Sequence, residues 1–135
     1  MLITETRKKL LLVEDYKFYR EECIDSLDLV HKSELEAPFN AYSCEKIIGN
    51  NTFNRAVLDL DLKHWFEDND QKAIIFDGGY ECSNGLEIAE YLITTKKCLD
   101  VGVYSSHEGH LRDAWKRLKA KSKGEISLIT KENNP

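Results

Sequence analysis

The sequence predicts an α/β fold built on a doubly wound, five-stranded parallel sheet, and three observations predict it. Short apolar runs alternate with longer stretches whose apolar residues recur at helical spacing. Most of the runs lack the polar alternation of half-exposed strands, as expected of strands covered on both faces. Polar residues, mostly carboxylates, follow several of the runs, and open parallel sheets bind their ligands at the carboxyl ends of the strands.

Lys8 to Val13 (KKLLLV) is an apolar run after basic residues and before Glu14-Asp15, so it reads as a first strand with the acids at its carboxyl end. From Tyr16 to about Val30 the positions Phe18, Cys23, Ile24, Leu27 and Val30 recur at roughly helical spacing, which predicts an amphipathic helix. Pro38 interrupts the next stretch. Phe39 to Ser43 is then expected as the second strand, with Cys44 to Gly49 a short helix stopped by Gly49-Asn50-Asn51. Ala56 to Leu62 (AVLDLDL) is the third strand, carrying Asp59 and Asp61 near its end.

Residues 63 to 84 are expected to form an enlarged loop over the strand ends, with AIIF (Ala73 to Phe76) pairing as an added strand or hairpin. Asn84-Gly85 precedes LEIAEYLI, where Leu86, Ala89, Leu92 and Ile93 form a helical stripe. Val101 to Ser105 is the fourth core strand, His110 to Lys121 a basic helix, and Ile126 to Ile129 the last strand, before Thr130-Lys131.

A chain of 135 residues, 41% hydrophobic and 32% charged, suits a single domain with one core. The net charge of −5 argues against a broad basic face, so no direct contact with nucleic acid is expected. No stretch approaches the roughly 20 apolar residues of a membrane span, and MLITETRKK has no apolar signal core; a cytoplasmic location is expected. Cys23, Cys44, Cys82 and Cys98 form no CxxC pair, which suggests reduced thiols and neither a zinc site nor a redox motif.

In a parallel sheet of this order the polar residues at the strand ends meet at one rim: Glu14 and Asp15, Asp59, Ser105 and Lys131. Taken singly they are unremarkable, since an acidic pair can cap a helix and a lysine near the end of a chain is usually solvated. Together, an acidic pair in LLLVEDY, a central Asp in AVLDLDL, a helix NGLEIAEYL, a Ser in VYSS and a Lys in LITK resemble the receiver domain of two-component response regulators over nearly the whole chain. That resemblance implies a flavodoxin-like fold and a phosphoacceptor function. Asp59 would take a phosphoryl group from a histidine kinase or phosphotransfer protein, and the receiver would switch conformation to regulate a partner or output domain without being an enzyme. It also implies Mg²⁺ held by Asp15, Asp59 and the backbone carbonyl of Asp61, with Glu14 on a metal-bound water and Ser105 and Lys131 on the phosphoryl group. Elementary electrostatics agrees: two unit charges about 4 Å apart repel by on the order of 4 kcal/mol at an effective dielectric near 20, and a divalent cation with hard oxygen ligands relieves this.

The chain departs from the receiver pattern in four places, of which Asp61, two residues after Asp59, implies little because the resemblance assigns only its backbone carbonyl to the metal. Asp77, in AIIFDGGYECSNGLE, also ends an apolar run and stands closer to the GLE helix, so it is the alternative acceptor. Against it, the stretch from Cys44 to Gln71 would have to supply the second helix while containing Gly49-Asn50-Asn51 and the strand-like AVLDL. Leu128 stands three residues before Lys131, where receivers often carry an aromatic switch residue, and Tyr104, beside Ser105, is not expected to substitute for it. Only Glu132 to Pro135 follow Lys131, so the usual fifth, closing helix is absent; this predicts either a fragment of a longer regulator or a sheet face covered by a homodimer partner. Two other readings stay open: a pseudo-receiver that acts as a protein-interaction module, and a haloacid-dehalogenase-like phosphatase with Asp59 as nucleophile and Asp61 as general acid.

Overall fold

The computed structural model describes residues 9–26, 34–67, 73–105, 108–121 and 126–130. Its strands are β1 (Leu10–Val13), β2 (Leu35–Glu36), β3 (Arg55–Asp59), β4 (Ile74–Phe76), β5 (Tyr80–Cys82), β6 (Val101–Ser105) and β7 (Ile126–Thr130). Its helices are α1 (Lys17–Ser26), α2 (Ala41–Asn50), α3 (Lys63–Glu67), α4 (Gly85–Thr94) and α5 (Glu108–Lys121). Four strands of four or five residues, β1, β3, β6 and β7, pair in parallel in the order β1-β3-β6-β7, and the two-residue β2 pairs in parallel with the outer edge of β1. Among the described residues no helix is long and apolar enough to cross a membrane.

Side chains alternate across a strand, and that alternation decides where the core lies. Leu11 and Val13, Ala56 and Leu58, and Val101 and Val103 point to one face of the sheet. There they meet Ala41, Cys44 and Ile48 of α2, the stripe Ile88, Ala89 and Leu92 of α4, and Leu111, Ala114 and Leu118 of α5. Each large aliphatic side chain so buried is worth about 1.5–3 kcal/mol. Leu12 is buried on the opposite side, outside that cluster. An ion pair ties α4 to α5, with Arg117 Nε 2.5 Å from Oε1 of the buried Glu90.

The structure corrects the sequence reading in three elements. The expected strand at Phe39 to Ser43 is instead the start of α2, and the second strand lies before Pro38, at Leu35–Glu36. The reason is a capping box: extended Asn40 accepts from the Ser43 amide (2.7 Å) while Ser43 Oγ accepts from the Asn40 amide (3.1 Å), satisfying two otherwise unpaired donors at the helix start. Helix α1 forms but buries none of its residues, and Phe18 is exposed, so the described part of the expected apolar stripe does not enter the core; Leu27 and Val30 lie outside the described residues. The polar run after Asp61 is not all loop, because α3 carries Trp65 into the core.

AIIF does pair. Strands β4 and β5 form a separate antiparallel hairpin, Ile74 opposite Cys82 and Phe76 opposite Tyr80. Gly78 and Gly79 turn it with φ of 88° and 77°, a left-handed conformation that other residues adopt at a cost. The hairpin packs on α2 and α4. Phe76 stacks on Tyr91 at 4.3 Å between centroids, and Tyr80 meets the same ring edge-on at 5.1 Å.

Candidate metal centre

The carboxyl ends of β1 and β3 deliver the site. Because β1 pairs with β3 from Leu10 opposite Arg55 to Val13 opposite Leu58, the residues after Val13 lie level with Asp59. Glu14, Asp15 and Asp59 are all buried, and each offers a carboxylate oxygen within 4.8 Å of the others. On the far side β6 runs parallel to β3 with Asp59 opposite Tyr104, and Ser105, the last residue of β6, is also buried at this rim.

Local hydrogen bonds hold the geometry. The Asp61 amide donates to Asp59 Oδ1 (3.1 Å), while the exposed Asp61 carboxylate accepts from the Lys63 amide (3.1 Å). Leu60 is pinned from two directions, its amide donating to the Tyr104 carbonyl (3.0 Å) and its carbonyl accepting from the Gly85 amide (3.1 Å). Gly85 opens α4 behind an Asn84 cap that accepts from the Glu87 amide (2.9 Å). A Cβ on Gly85 would stand 1.8 Å from the Asp59 carbonyl oxygen, so only glycine lets α4 approach the end of β3 this closely. Arg20 Nη1, from α1, donates to the Glu14 backbone carbonyl (3.0 Å).

Of the residues singled out in the sequence, Glu14, Asp15 and Asp59 come together, with Ser105 at the same rim. The Asp61 side chain stays outside the cluster. Asp77 is exposed at the hairpin turn, and Lys131 lies outside the described residues. Tyr104 was treated only as a neighbour of Ser105, yet its buried phenol faces the carboxylates. Desolvation first, then the negative charges of Glu14 and Asp59, push its pKa far above that of an ordinary tyrosine. The readable signal was positional: the residue before the rim serine on β6 sits beside the rim aspartate on β3.

Three buried carboxylates this close are costly unless a cation, protons or donors compensate them. An all-oxygen, acidic donor set is what a hard divalent cation such as Mg²⁺ takes, so these residues fit a metal.

No protein-family model matches the chain, and no curated protein matches it. Solved structures do: 15 chains match. One is the N-terminal domain of an uncharacterized protein from Wolinella succinogenes, 18% identical, with a TM-score of 0.56 over 94% of this chain and 83% of that one. The fold is flavodoxin-like. At that identity the likeness speaks for the fold alone, and the order β2-β1-β3-β6-β7 is the corresponding strand order, 2-1-3-4-5, once the hairpin is set aside.

Proposed function

We propose that this chain is a phosphoacceptor receiver domain of a two-component or phosphorelay system, doubly wound on five parallel strands, cytoplasmic, with Asp59 as acceptor. The observation that carries the reading is the buried cluster of Glu14, Asp15 and Asp59 at the carboxyl ends of neighbouring parallel strands, with Ser105 one strand further on. Asp15 and Asp59 would hold Mg²⁺, with Glu14 beside them. The bound cation supplies positive charge that offsets carboxylate repulsion and the charge developing on a transferred phosphoryl group.

The chain's own residues supply the rest. An Asp59 carboxylate oxygen attacks phosphorus in line, forming an O–P bond as the bond from phosphorus to the donor breaks. The donor is a phosphohistidine of a kinase or phosphotransfer protein, whose imidazole leaves with the bonding electron pair and takes up a proton. The Asp61 amide, already on Asp59 Oδ1, orients the nucleophile. Ser105 would donate its hydroxyl to the phosphoryl group, and Lys131 would pair with a phosphoryl oxygen. The phosphate adds about −1.5 to −2 of charge, and the movement of Ser105 toward it shifts the population that a partner or output domain reads.

The test is incubation with Mg²⁺ and acetyl phosphate, followed by intact mass measurement of wild type, Asp59→Asn and Asp77→Asn. One added phosphoryl group in wild type and Asp77→Asn, absent from Asp59→Asn, is the expected result. Loss only in Asp77→Asn would move the acceptor to the hairpin. An unmodified wild type would favour the interaction-module reading, and sustained release of inorganic phosphate the phosphatase reading.

A further inference from the structure

Two helices carry matching surface stripes of opposite charge. On α5, Arg112, Trp115, Lys116 and Lys119 stand at i, i+3, i+4 and i+7, the spacing that lines side chains along one helix face. All four are exposed, Trp115 at 42%. Leu111, Ala114 and Leu118 fill the core flank of the same helix, and Asp113 falls on another flank with Arg117, which is engaged by Glu90. Among the described residues Arg112, Lys116 and Lys119 form no ion pair.

On α1 the same spacing carries the reverse pattern, Phe18, Glu21, Glu22 and Asp25. These four are also exposed, Phe18 at 64%. Lys17 borders the stripe, 4.0 Å from Glu21, but both side chains are largely in solvent and such a pair holds little energy. Arg20 is turned to the Glu14 carbonyl instead.

The stripes cannot meet within one chain. In the order β2-β1-β3-β6-β7 the crossovers through α2, α4 and α5 step one way along the sheet, and the crossover from β1 through α1 to β2 steps the other way. Crossovers of this kind are right-handed, so α1 lies on the face opposite α2, α4 and α5. Its lack of any residue in the core cluster agrees.

We infer that the cationic face of α5 is an interaction surface for a second copy of this chain, which docks the anionic face of its α1 there. Arg112, Lys116 and Lys119 then meet the three carboxylates, and Trp115 meets Phe18; arginine and aromatic side chains are the residues that interfaces favour. The contact is head-to-tail, so assembly passes beyond a dimer unless the rotation closes a ring. Net charge of −5 on each copy opposes approach, but at physiological salt that repulsion is screened beyond about 8 Å, a range that the docked stripes lie within. Neither stripe includes an acidic-rim residue, so the inference stands apart from the receiver reading.

The experiment is sedimentation velocity of the whole chain over a concentration series in chelator. It compares wild type, Lys116→Glu/Lys119→Glu, Glu22→Lys/Asp25→Lys, an equimolar mixture of these two variants, and the fourfold variant. Wild type should show a mean mass that rises with concentration. Each double reversal leaves both stripes with acidic or with basic side chains facing their like, and should weaken self-association about tenfold or more. The mixture and the fourfold variant bring opposite signs together again and should recover it. A wild type that stays monomeric, association indifferent to the reversals, or a mixture that fails to associate would each overturn the inference. Should a variant fail to fold, amide resonances of wild type give the answer: those that shift with concentration should belong to α1 and α5, and shifts confined to other elements would overturn it.

Discussion

Asp59 and Asp77 stand in nearly the same local sequence, each closing a short run of alanine and branched or aromatic apolar residues. The run before Asp59 is paired on both edges, by β1 and by β6, so its end is sunk among neighbouring strand ends and meets the acids that follow β1. Among the described residues the run before Asp77 is paired on one edge only, by β5, and its end is an exposed hairpin turn. Burial, and with it any chemistry that depends on crowding charges, comes from the second neighbour. Local sequence does not carry that information.

The largest way to break the contrast is at the glycines that serve the two regions. Gly85→Ala drives a Cβ into the Asp59 carbonyl, where backbone must yield, so unfolding free energy should fall by about 3 kcal/mol or more in urea titration. Phosphoryl uptake should be lost with it, since the strand end that aims Asp59 is displaced. If Gly85→Ala keeps full stability and uptake, α4 does not abut β3 as described.

Charge relief is the next largest effect. Asp59→Asn removes one of three crowded buried carboxylates, so the metal-free variant should be more stable than wild type by about 1–3 kcal/mol. Asp77→Asn, at an exposed turn, should change stability by less than about 0.5 kcal/mol. Adding Mg²⁺ should stabilise wild type through mass action and shrink the Asp59→Asn advantage. Equal urea midpoints for wild type and Asp59→Asn in chelator would mean that the cluster is already neutralised by other means.

This contrast also marks how far the sequence could be read. The long strands β1, β3, β6 and β7 were legible because each lies in a short, mostly apolar run, the pattern of a parallel strand. Glu14, Asp15 and Asp59 were legible because carboxylates at the ends of such runs have no packing reason to be there. The start of α2 was not: Phe39 to Ser43 looks strand-like until the Asn40–Ser43 capping box is seen, and reciprocal side-chain caps outweigh the weak preference of Phe39 and Tyr42 for strands. The place of Tyr104 beside Asp59 was not legible because it depends on cross-strand register, which a single chain segment does not encode.

A smaller effect tests the hairpin turn itself. Gly78 has φ of 88° with open space around it, so Gly78→Ala meets no clash and bears only the left-handed backbone penalty, about 1 kcal/mol. Mg²⁺ affinity and Asp59 modification should be unchanged. A loss of either would show that the hairpin reports to the acidic rim rather than standing apart from it.

The smallest effect at neutral pH, and the sharpest probe of packing, comes from two buried thiols, one in each region. Burial, reinforced by Glu87 and Glu90, pushes Cys82 of the hairpin up to about 12. Burial pushes Cys98, just before β6, up to about 11, opposed by a backbone hydrogen bond at Asp100. In the unfolded chain both lose their protons near the ordinary value of 9.0. Between that value and the folded ones the unfolded state binds fewer protons, so stability is complete below about pH 9 and declines as pH rises toward 11 and 12. Urea midpoints should therefore be flat near neutrality and fall above pH 9, with a shallower fall in Cys82→Ala and in Cys98→Ala. If only Cys98→Ala flattens the curve, the Cys82 thiol titrates as though in water. The hairpin would then open away from α4 while the parallel sheet stays closed, and the two regions would differ in stability as well as in charge.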